Sequence, residues 1–499
     1  AQCLFRLIRK EKKLRLSELM KGREVPVVHD KHVKGLTADS RDVLPGFLFA
    51  AFSGTSADGR NYIEEATQKG AVAILTDNSF VPEDSTVPCF CEENPRQMLS
   101  TLAARFYGAQ PDTLCAVTGT NGKTSVAFFV RAIWQAMGLE AASVGTLGVV
   151  TSDATTKLNY TTPEPVLLHK SLTYLVGHGV THAVLEASSH GLDQYRLDGT
   201  KLKSAGFTNL TRDHLDYHIS SEDYLQAKLG LISRVLAPEG TAVLNADSEV
   251  FPAFSRAAKD RSLKSLSYGR SGEHIRLLDI KPIQSGQRVK IEIMGSQYDI
   301  ELPVTGEFQT MNTLCALGLV IGAGGDPVAA ARALPKLTNV PGRLELVSIL
   351  RNNAAVYVDY AHSPDALETV LEAVRVHAKG KIHVVFGCGG DRDKGKRPEM
   401  GRIADLFADQ VIITDDNPRN EDPSQIRAEI IVACPQARNI PDRFDAIEQA
   451  IDGLNTDDLL VIAGKGHEEG QVIGTDSIPF NDKKVAQEIV QKRGGKNVS

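Results

Sequence analysis

The stretch Leu114-Cys115-Ala116-Val117-Thr118-Gly119-Thr120-Asn121-Gly122-Lys123-Thr124 decides the fold of this chain. Its apolar start predicts a buried strand, and its glycines predict a loop between that strand and a helix. The backbone N–H groups of such a loop bind phosphate oxygens, and the helix N-terminus adds a partial positive charge. Lys123 can neutralise β- and γ-phosphates, and the Thr124 hydroxyl suits Mg²⁺. The predicted helix places apolar side chains on one face, at Val126, Phe129, Val130, Ile133 and Met137.

The spacing of this loop departs from the usual G-x-x-x-x-G-K pattern. That pattern would place a glycine at position 117, where this chain has Val117, and the first glycine falls instead at Gly119. The alternative interpretation is a glycine-rich turn that binds nothing. Because Gly-Lys-Thr follows a strand and opens a helix, we interpret the segment as a variant phosphate-binding loop.

Length and composition restrict the class of protein. The 499 residues predict about three domains, and 42% apolar with 24% charged residues is ordinary globular composition. The net charge of −6 argues against a general nucleic-acid binder. The seven cysteines form no CxxC pair, which predicts free thiols in a reducing compartment, the cytoplasm. No apolar run is long enough to span a bilayer, so we expect no membrane insertion, and we expect a monomer. We interpret the basic residues 1–10 as a surface helix or the remainder of a longer N-terminus.

Apolar runs alternate with helical segments along most of the chain, which predicts an α/β fold with mostly parallel sheets. In residues 1–110, short apolar runs between glycine and aspartate turns predict small strands around a binding surface. Residues 275–304 alternate at period two, as in antiparallel hairpins. Leu337–Gly342 is the predicted linker to a further strand–helix region. The predicted strands centre on residues 114–117, 183–185, 205–207, 242–244, 356–358, 384–386, 411–413 and 459–462.

The loop Thr118-Gly119-Thr120-Asn121-Gly122-Lys123-Thr124 resembles that of the Mur ligases and of the related folylpolyglutamate synthetases, which couple ATP cleavage to amide formation. The resemblance implies ATP as co-substrate and Mg²⁺ as cofactor. It also implies three domains: an N-terminal UDP-sugar-binding α/β domain (1–110), a central ATP-binding domain with a P-loop ATPase-like parallel sheet (111–340), and a C-terminal amino-acid-binding, Rossmann-like domain (341–499).

A second cluster, Glu186-Ala187-Ser188-Ser189-His190, follows a predicted strand. A carboxylate at a strand end beside a phosphate loop is a reasonable Mg²⁺ ligand, although a solvated loop acid is the alternative. The resemblance assigns that ligand role to Glu186, places His214 near a second metal ion, and implies that Lys228 of Tyr-x-x-Ala-Lys is carbamylated and helps to hold Mg²⁺. The histidine spacing is wrong for HExxH, so we reject zinc. The implied catalytic residues are Lys123, Glu186, His214 and Lys228, and the implied metal ligands are Thr124, Glu186, His214 and carbamylated Lys228. Three further ATP contacts are implied at Asn312, at the linker residue Arg343 and at Asp359.

In the C-terminal region, Arg419 can grip a carboxylate through two parallel hydrogen bonds and Glu468 can receive an ammonium group, so together they could recognise an amino acid. A surface salt bridge is the alternative. Asp416-Asn417-Pro418-Arg419 resembles the signature of the Mur ligases that add meso-diaminopimelate. This resemblance implies diaminopimelate contacts at Arg392, Asp416, Asn417, Pro418, Arg419, Gly464 and Glu468. It implies contacts with the uridine nucleotide, sugar and dipeptide at Ala38, Ser40, Thr55, Ser56, Ala57, Tyr160, Thr161, Thr162, Ser188, Gln194 and Arg196, although Ala38 stands where a larger apolar residue is usual.

The implied reaction adds meso-2,6-diaminopimelate to the D-Glu γ-carboxylate of UDP-MurNAc-L-Ala-D-Glu through an acyl phosphate, in peptidoglycan precursor biosynthesis. Lysine lacks one carboxylate of diaminopimelate and would leave Arg419 without a partner, which favours diaminopimelate. Three alternatives stay open: a lysine-adding ligase of the same family, a folylpolyglutamate synthetase and a non-catalytic scaffold.

Overall fold

The computed structural model describes residues 13–54, 57–78, 86–211, 217–283 and 286–498. The predicted α/β architecture is confirmed, and its strands form three main sheets. All of the strands predicted from apolar runs are present, and residues 275–283, 286–293 and 296–302 form the expected antiparallel strand pairs. Among these residues, no helix is both long enough and apolar enough to cross a membrane.

The first main sheet has four parallel strands in chain order. A short antiparallel pair precedes it. The antiparallel pair consists of β1 (Leu14–Arg15) and β2 (His32–Val33), and the parallel sheet of β3 (Gly35–Thr37), β4 (Phe47–Ala51), β5 (Ala73–Asp77) and β6 (Cys89–Glu92). The helices of this region are α1 (Leu16–Leu19), α2 (Ile63–Gln68) and α3 (Pro95–Tyr107).

The second sheet has eleven strands, of which the central ones are parallel. Its strands are β7 (Thr113–Thr118), β8 (Ala141–Gly145), β9 (Gly148–Val150), β10 (Thr155–Thr156), β11 (His182–Glu186), β12 (Leu202–Phe207), β13 (Leu236–Asn245), β14 (Lys264–Gly269), β15 (Ile275–Ile283), β16 (Gly286–Ile293) and β17 (Ser296–Leu302). The helices of this region are α4 (Lys123–Ala136), α5 (Pro165–Gly177), α6 (Ser189–Asp193), α7 (Ser221–Gly230), α8 (Phe251–Asp260), α9 (Glu307–Gly322) and α10 (Pro327–Ala333).

The third sheet has seven strands, and the last two at one side, β18 and the edge strand β26, run antiparallel to their neighbours. Its strands are β18 (Glu345–Ile349), β19 (Ala355–Asp359), β20 (Ile382–Phe386), β21 (Gln410–Ile413), β22 (Arg438–Asn439), β23 (Leu459–Ala463) and β26 (Lys496–Asn497). A separate hairpin joins β24 (Gly470–Ile473) to β25 (Asp476–Pro479). The helices are α11 (Pro364–Arg375), α12 (Lys396–Phe407), α13 (Pro423–Ile431), α14 (Arg443–Asp452) and α15 (Asp482–Lys492).

Strand β7 lies at the centre of the second sheet and is buried on both faces. Because successive side chains point to opposite faces, Cys115 and Val117 join the core beneath α4 and α9, whereas Leu114 and Ala116 join the core beneath α5. The sheet order places β11 and β12 on either side of β7. The carboxyl ends of these three strands therefore meet at one edge, which is where open parallel sheets place their ligands.

A fully buried ion pair lies at the carboxyl end of β23 in the third sheet. Arg443 on α14 donates through Nε and Nη2 to the two carboxylate oxygens of Asp482 on α15, both at 2.8 Å. The same Nη2 donates to the carbonyl of Ala463, the last residue of β23, at 3.0 Å. This pair fixes the point at which the chain leaves β23.

We predict that Asp482→Ala lowers the free energy of unfolding by about 3–5 kcal/mol, because it leaves the Arg443 guanidinium buried without its carboxylate. Denaturant titration measures the change. The matched control is Glu488→Ala on the same helix, which removes only the exposed ion pair with Lys492 and is expected to cost about 0.5 kcal/mol. Equal effects of the two substitutions would contradict a role for the buried pair.

Candidate active site

The glycine loop between β7 and α4 has a backbone that only glycine accommodates easily. Gly119 and Gly122 have φ angles of 153° and 87°. A Cβ at Gly119 would lie 1.8 Å from Thr208 Oγ1, and one at Gly122 would lie 2.2 Å from Asn312 Oδ1. Helix α4 begins at Lys123, directly after the loop. The loop therefore presents backbone N–H groups and a helix N-terminus to one point, as phosphate binding requires.

Two lysines converge on this loop. Lys123 Nζ donates to the carbonyls of Gly119 and Thr120, both at 2.8 Å, and Lys228 Nζ donates to the same Gly119 carbonyl at 2.7 Å. Lys228 is 1% exposed, and its Nζ lies 4.3 Å from the centre of the Tyr224 ring. The fold thus brings two side chains that are 105 positions apart to one carbonyl of the glycine loop.

The Glu186 carboxylate lies beside the loop at the end of β11. It accepts hydrogen bonds from Thr124 Oγ1 at 2.8 Å, from the Thr146 backbone N–H at 2.8 Å and from Thr146 Oγ1 at 3.1 Å. Glu186 is 2% exposed, so it is not the solvated loop acid that was the alternative interpretation. Hydroxyl and carboxylate oxygens of this kind are the ligands that Mg²⁺ prefers. His214, the other metal-associated residue expected from the sequence, lies outside the described residues.

Residues expected to contact the sugar and dipeptide meet next to Glu186. Thr162 Oγ1 donates to the Glu186 carbonyl at 2.7 Å and lies 3.0 Å from Ser188 Oγ. Arg196 donates to the Thr162 carbonyl at 2.6 Å and to Gln194 Oε1 at 2.8 Å.

Two further residues of this expected set lie at the edges of the cluster. Thr161 Oγ1 lies 3.0 Å from Thr146 Oγ1, and the exposed Tyr160 ring lies beneath the Arg196 guanidinium, at 5.1 Å. The structure therefore brings these six side chains close to the Glu186 carboxylate, and Thr146 connects Thr161 to it through hydrogen bonds.

The residues expected to contact uridine lie on the first sheet. Ala38 is exposed directly after β3, and the buried Ser40 accepts a hydrogen bond from Lys69 Nζ through its carbonyl at 2.9 Å. The carbonyl of the exposed Ala57 accepts from the Gly54 N–H at 2.8 Å. Thr55 and Ser56 lie outside the described residues.

The linker after α10 brings Arg343 to the glycine loop. Arg343 Nη2 donates to Thr124 Oγ1 at 3.2 Å, and its guanidinium lies 4.3 Å from the centre of the Tyr360 ring. Asp359 at the end of β19 accepts from the N–H of Leu344 at 2.5 Å and from that of Ala361 at 2.6 Å. These contacts hold the residue after Arg343 in a left-handed conformation, with φ 47°. The linker arginine is therefore positioned from both sides.

The residues expected to contact an amino acid form a separate cluster at the edge of the third sheet. Asn417 donates to Glu468 Oε2 at 3.0 Å, and Lys465 Nζ donates to both Asn417 Oδ1 at 2.9 Å and Glu468 Oε2 at 3.0 Å. A Cβ at Gly464 would lie 2.5 Å from Asp416 Oδ2, so the glycine allows a close approach of β23 to Asp416. Glu468 thus belongs to a hydrogen-bonded network with one buried lysine.

Arg419 lies on the other side of the same cluster. Its Nη1 donates to the carbonyls of Gly390 at 2.8 Å and Asn417 at 3.4 Å, and no carboxylate of the described residues forms an ion pair with it. A Cβ at Gly389 would lie 2.8 Å from Arg419 Nη1 and 3.8 Å from Arg392 Cγ, so these two arginines are neighbours. The Pro418 carbonyl packs against Gly390. Two guanidinium groups are thereby available to a carboxylate ligand.

One ion pair joins the two clusters. Lys157, in the segment that leads to Tyr160, pairs with Glu469 at the base of the β24–β25 hairpin. That hairpin in turn holds Arg419, because the Arg419 N–H donates to the Val472 carbonyl at 3.1 Å.

Comparison with known proteins connects the two clusters to one family. Three family models match: "Mur ligase family, catalytic domain" over residues 32–107, "Mur ligase middle domain" over residues 117–320, and "Mur ligase, glutamate ligase domain" over residues 342–466. The chain belongs to the Mur ligase family.

Individual relatives agree with this assignment. A UDP-N-acetylmuramoyl-L-alanyl-D-glutamate–2,6-diaminopimelate ligase from Agrobacterium fabrum is 47% identical over 465 residues, which are 93% of this chain and 94% of the relative. The ligase of the same name from Caulobacter vibrioides is 48% identical over 474 residues, 94% of this chain and 97% of the relative.

Solved structures share the architecture. A structure of UDP-N-acetylmuramoyl-L-alanyl-D-glutamate–2,6-diaminopimelate ligase matches with a TM-score of 0.72 and 31% identity, over 97% of this chain and 99% of that one. MurF from Thermotoga maritima, in complex with ADP, matches with a TM-score of 0.61 and 19% identity over 92% of this chain and 97% of that one, which shows a common fold.

Several side chains in this Mur ligase were missed by the sequence analysis. Thr146 makes two of the three hydrogen bonds to Glu186, and Lys465 bridges Asn417 and Glu468. Tyr224 donates to Thr120 Oγ1 at 3.1 Å. Thr146 could have been found, because it directly follows β8, whose carboxyl end lies beside that of β11. Tyr224 precedes Lys228 by one helical turn, which places both on one face of α7.

Asp359 should give the Mur ligase a pH-dependent stability. Burial raises the pKa of Asp359 from 3.8 to about 6, although Arg343 and the N–H groups of Leu344 and Ala361 oppose the shift. The folded protein therefore binds this proton more tightly than the unfolded chain does. The resulting stabilisation is fully present below pH 4 and is lost as the pH rises through 6, a change of about 3 kcal/mol.

We predict that the free energy of unfolding of the wild type falls by this amount relative to Asp359→Asn between pH 4 and pH 7. Urea titrations at four pH values measure it. Asp409→Asn is a control of opposite sign: burial opposes ionisation of Asp409, but bonds from the Ile382 N–H and Arg375 outweigh it and lower its pKa. Parallel curves for wild type and Asp359→Asn would refute the assignment.

Proposed function

We propose that this Mur ligase uses ATP to join meso-2,6-diaminopimelate to the D-Glu γ-carboxylate of UDP-MurNAc-L-Ala-D-Glu. The observation that carries the proposal is the position of the Thr124 hydroxyl, between Glu186 of the second sheet and Arg343 of the linker. That arrangement places the phosphate loop, a carboxylate for Mg²⁺ and an inter-sheet arginine at one point. The ligases named above, at 47–48% identity over nearly the whole chain, support the choice of substrates.

Three domains divide the work. We assign residues 1–110 to the UDP part of the substrate, residues 111–340 to ATP and the sugar–dipeptide, and residues 341–499 to the amino acid. The strands of the three main sheets, at residues 35–92, 113–302 and 345–497, support these boundaries. We further propose that the enzyme acts as a monomer in the cytoplasm; the cysteines that the structure describes are free thiols, in keeping with a reducing compartment.

The reaction has two steps. A carboxylate is a poor acyl donor, so the γ-carboxylate oxygen first attacks the γ-phosphorus of ATP, which gives an acyl phosphate and ADP. The neutral amine of diaminopimelate then attacks the acyl carbon, the C–O bond to phosphate breaks, and the amine proton passes to solvent. Lys123 and the N–H groups of the glycine loop stabilise the charge on the transferring phosphoryl group.

Magnesium fits the oxygen donors beside the loop. Thr124 and Glu186 would hold it through the hydroxyl and the carboxylate, whose oxygens converge to 2.8 Å. When bound, the ion would neutralise phosphate charge. His214 belongs to the proposed metal-associated set as well.

Lys228 is proposed to act as a carbamate. After the ammonium group loses its proton, the neutral amine adds CO₂ and loses a further proton, which gives a carbamate anion. Its two oxygen atoms can coordinate a metal ion. The buried position of Lys228 beside the loop supports this role, because its Nζ already lies within hydrogen-bonding distance of Gly119.

Recognition of the amino acid is assigned to the C-terminal cluster. Arg419, beside Arg392, would bind the carboxylate that distinguishes diaminopimelate from lysine, and Asn417 and Glu468 would receive its zwitterionic end. Asp416, Pro418 and Gly464 shape the backbone of this pocket.

The proposed function predicts that phosphate release from ATP requires both the dipeptide nucleotide and an amino acid, because the acyl phosphate is consumed only by an amine. A panel of diaminopimelate, lysine, ornithine and glutamate, assayed by phosphate release and by product mass, tests this directly. The highest kcat/KM is expected for meso-diaminopimelate. Preference for lysine would reassign the substrate, and ATP turnover indifferent to the amino acid would refute ligation.

We predict that Arg419→Lys raises the KM for diaminopimelate about tenfold to a hundredfold, because an ammonium cannot form two parallel bonds to a carboxylate. The rate with lysine should change little, so the preference between the two amino acids narrows. Arg375→Lys is the control, since Arg375 is a half-exposed arginine that pairs with Asp409 away from the cluster. Equal losses for both amino acids would show that Arg419 acts on the loop and not on the distinguishing carboxylate.

A further inference from the structure

Arg96 lies where the first sheet meets the second, in the first turn of helix α3. Its Nη2 donates to the Ser53 carbonyl at 2.7 Å, and its guanidinium carbon lies 4.4 Å from the centre of the Phe52 ring. Phe52 and Ser53 directly follow β4 and lead to Ala57, one of the expected uridine contacts. Arg96 was not among the residues selected from the sequence.

The same turn of α3 is tied to the region that holds the expected sugar–dipeptide contacts. Gln97 Nε2 donates to Asp198 Oδ1 at 2.9 Å, and Ser100 Oγ donates to the Arg196 carbonyl at 3.2 Å. Gly199 donates back to Ser100 Oγ at 3.1 Å. The position of Arg96 is therefore fixed relative to the expected uridine contacts on the first sheet and to the expected sugar–dipeptide contacts around Arg196.

Arg96 also differs in charge compensation from three other cations around the first sheet. Arg41, Arg60 and Lys69 each form an ion pair with a nearby carboxylate, at 2.6–2.7 Å, with Asp39, Asp58 and Glu65 respectively. Arg96 forms no ion pair with any carboxylate in the described ranges, and its guanidinium retains donors beyond the one used by Ser53. Burial lowers the pKa of Arg96, and the more distant charges of Glu164 and Asp193 only partly offset this. An incompletely compensated, partly buried cation is suited to an anionic ligand.

We propose that Arg96 binds the diphosphate of the nucleotide substrate. This rests on the proposed function, in which a diphosphate connects the uridine to the sugar. The diphosphate must therefore lie between the uridine contacts on the first sheet and the sugar contacts around Arg196. A guanidinium offers two parallel hydrogen bonds to phosphate oxygens, and stacking on Phe52 orients its plane.

The test compares Arg96→Ala and Arg96→Lys with wild type. Steady-state kinetics give kcat and the KM for each substrate, and ligand-observed NMR titrations give the affinity for UDP and for uridine. Arg105→Ala is the matched control, because Arg105 lies on the same helix and also donates to a backbone carbonyl, that of Leu19, away from the cleft. Thermal unfolding midpoints establish that the variants are folded.

Arg96→Ala is expected to raise the KM for the dipeptide nucleotide and to weaken UDP binding, each about tenfold or more, as for loss of a charge-assisted hydrogen bond. Uridine binding, kcat, and the KM values for ATP and diaminopimelate should not change. Arg96→Lys should fall between wild type and Arg96→Ala, and the UDP effect should shrink at high salt.

The proposal would be overturned if the wild type did not bind UDP, or if Arg96→Ala bound UDP as tightly as the wild type does. It would also be overturned if Arg96→Ala lost affinity for UDP and for uridine equally, because Arg96 would then only support the loop through Ser53. Failure of the ligase function is separately visible. A wild type that binds UDP through Arg96 but forms no amide would retain the diphosphate site and lose the reaction. Normal turnover with an unchanged KM for the dipeptide nucleotide in Arg96→Ala would support the ligase function and overturn the diphosphate site.

Discussion

The interaction on which the site depends is the set of three hydrogen bonds that holds the buried Glu186 carboxylate. A buried carboxylate is costly unless its oxygens are satisfied, and here Thr124 and Thr146 supply all three donors. Thr146 follows β8, Glu186 ends β11, and Thr124 lies in the first turn of the helix that follows β7. The carboxylate therefore fixes the relative positions of three chain segments at the carboxyl edge of the sheet. The order β8-β11-β7 makes this possible, because adjacent parallel strands end side by side.

Two groups of side chains with different chemistry lie near Glu186, one toward the first sheet and one toward the third. Toward the first sheet, Thr162, Ser188 and Arg196 form hydroxyl and guanidinium contacts suited to a sugar–dipeptide. Toward the third sheet, Arg343 connects the loop to Tyr360, whose ring centre lies 5.2 Å from that of His467, the residue before Glu468. An acyl phosphate would form between them, within reach of both groups. In the proposed function, each of the three substrates is assigned to one of the three sheets, and each sheet has parallel strands that end side by side.

The sequence predicted those elements whose signals lie within a short stretch of neighbouring residues. A continuous apolar run predicted β7, period-two alternation predicted the hairpin strands within residues 275–304, and the glycines predicted the phosphate loop, because each of these signals lies within a short stretch of sequence. Lys228 was different: its helix α7 is ordinary, and only the family resemblance singled it out, whereas its contact with Gly119 arises from the fold. Lys465 and Arg96 escaped notice for the same reason, since their partners lie in other loops. The positive φ of Arg419, at 50°, likewise depends on the neighbouring hairpin and has no signal in its own residue type.

The contact across the cleft shows how substrate binding and domain arrangement are related. Lys157 and Glu469 form the one ion pair that joins the regions before and after the linker within the described ranges, and their side chains are 73% and 50% exposed. Exposed pairs contribute only about 0.2–1 kcal/mol, less than is needed to hold two domains together. Phe308 on α9 also packs against the apolar core of the third sheet, and Arg343 donates to Thr124, so apolar and linker contacts hold the two regions together as well. Because the ion pair itself is weak, a ligand that contacts both the loop and Arg343 would add to the interactions that hold the two regions together.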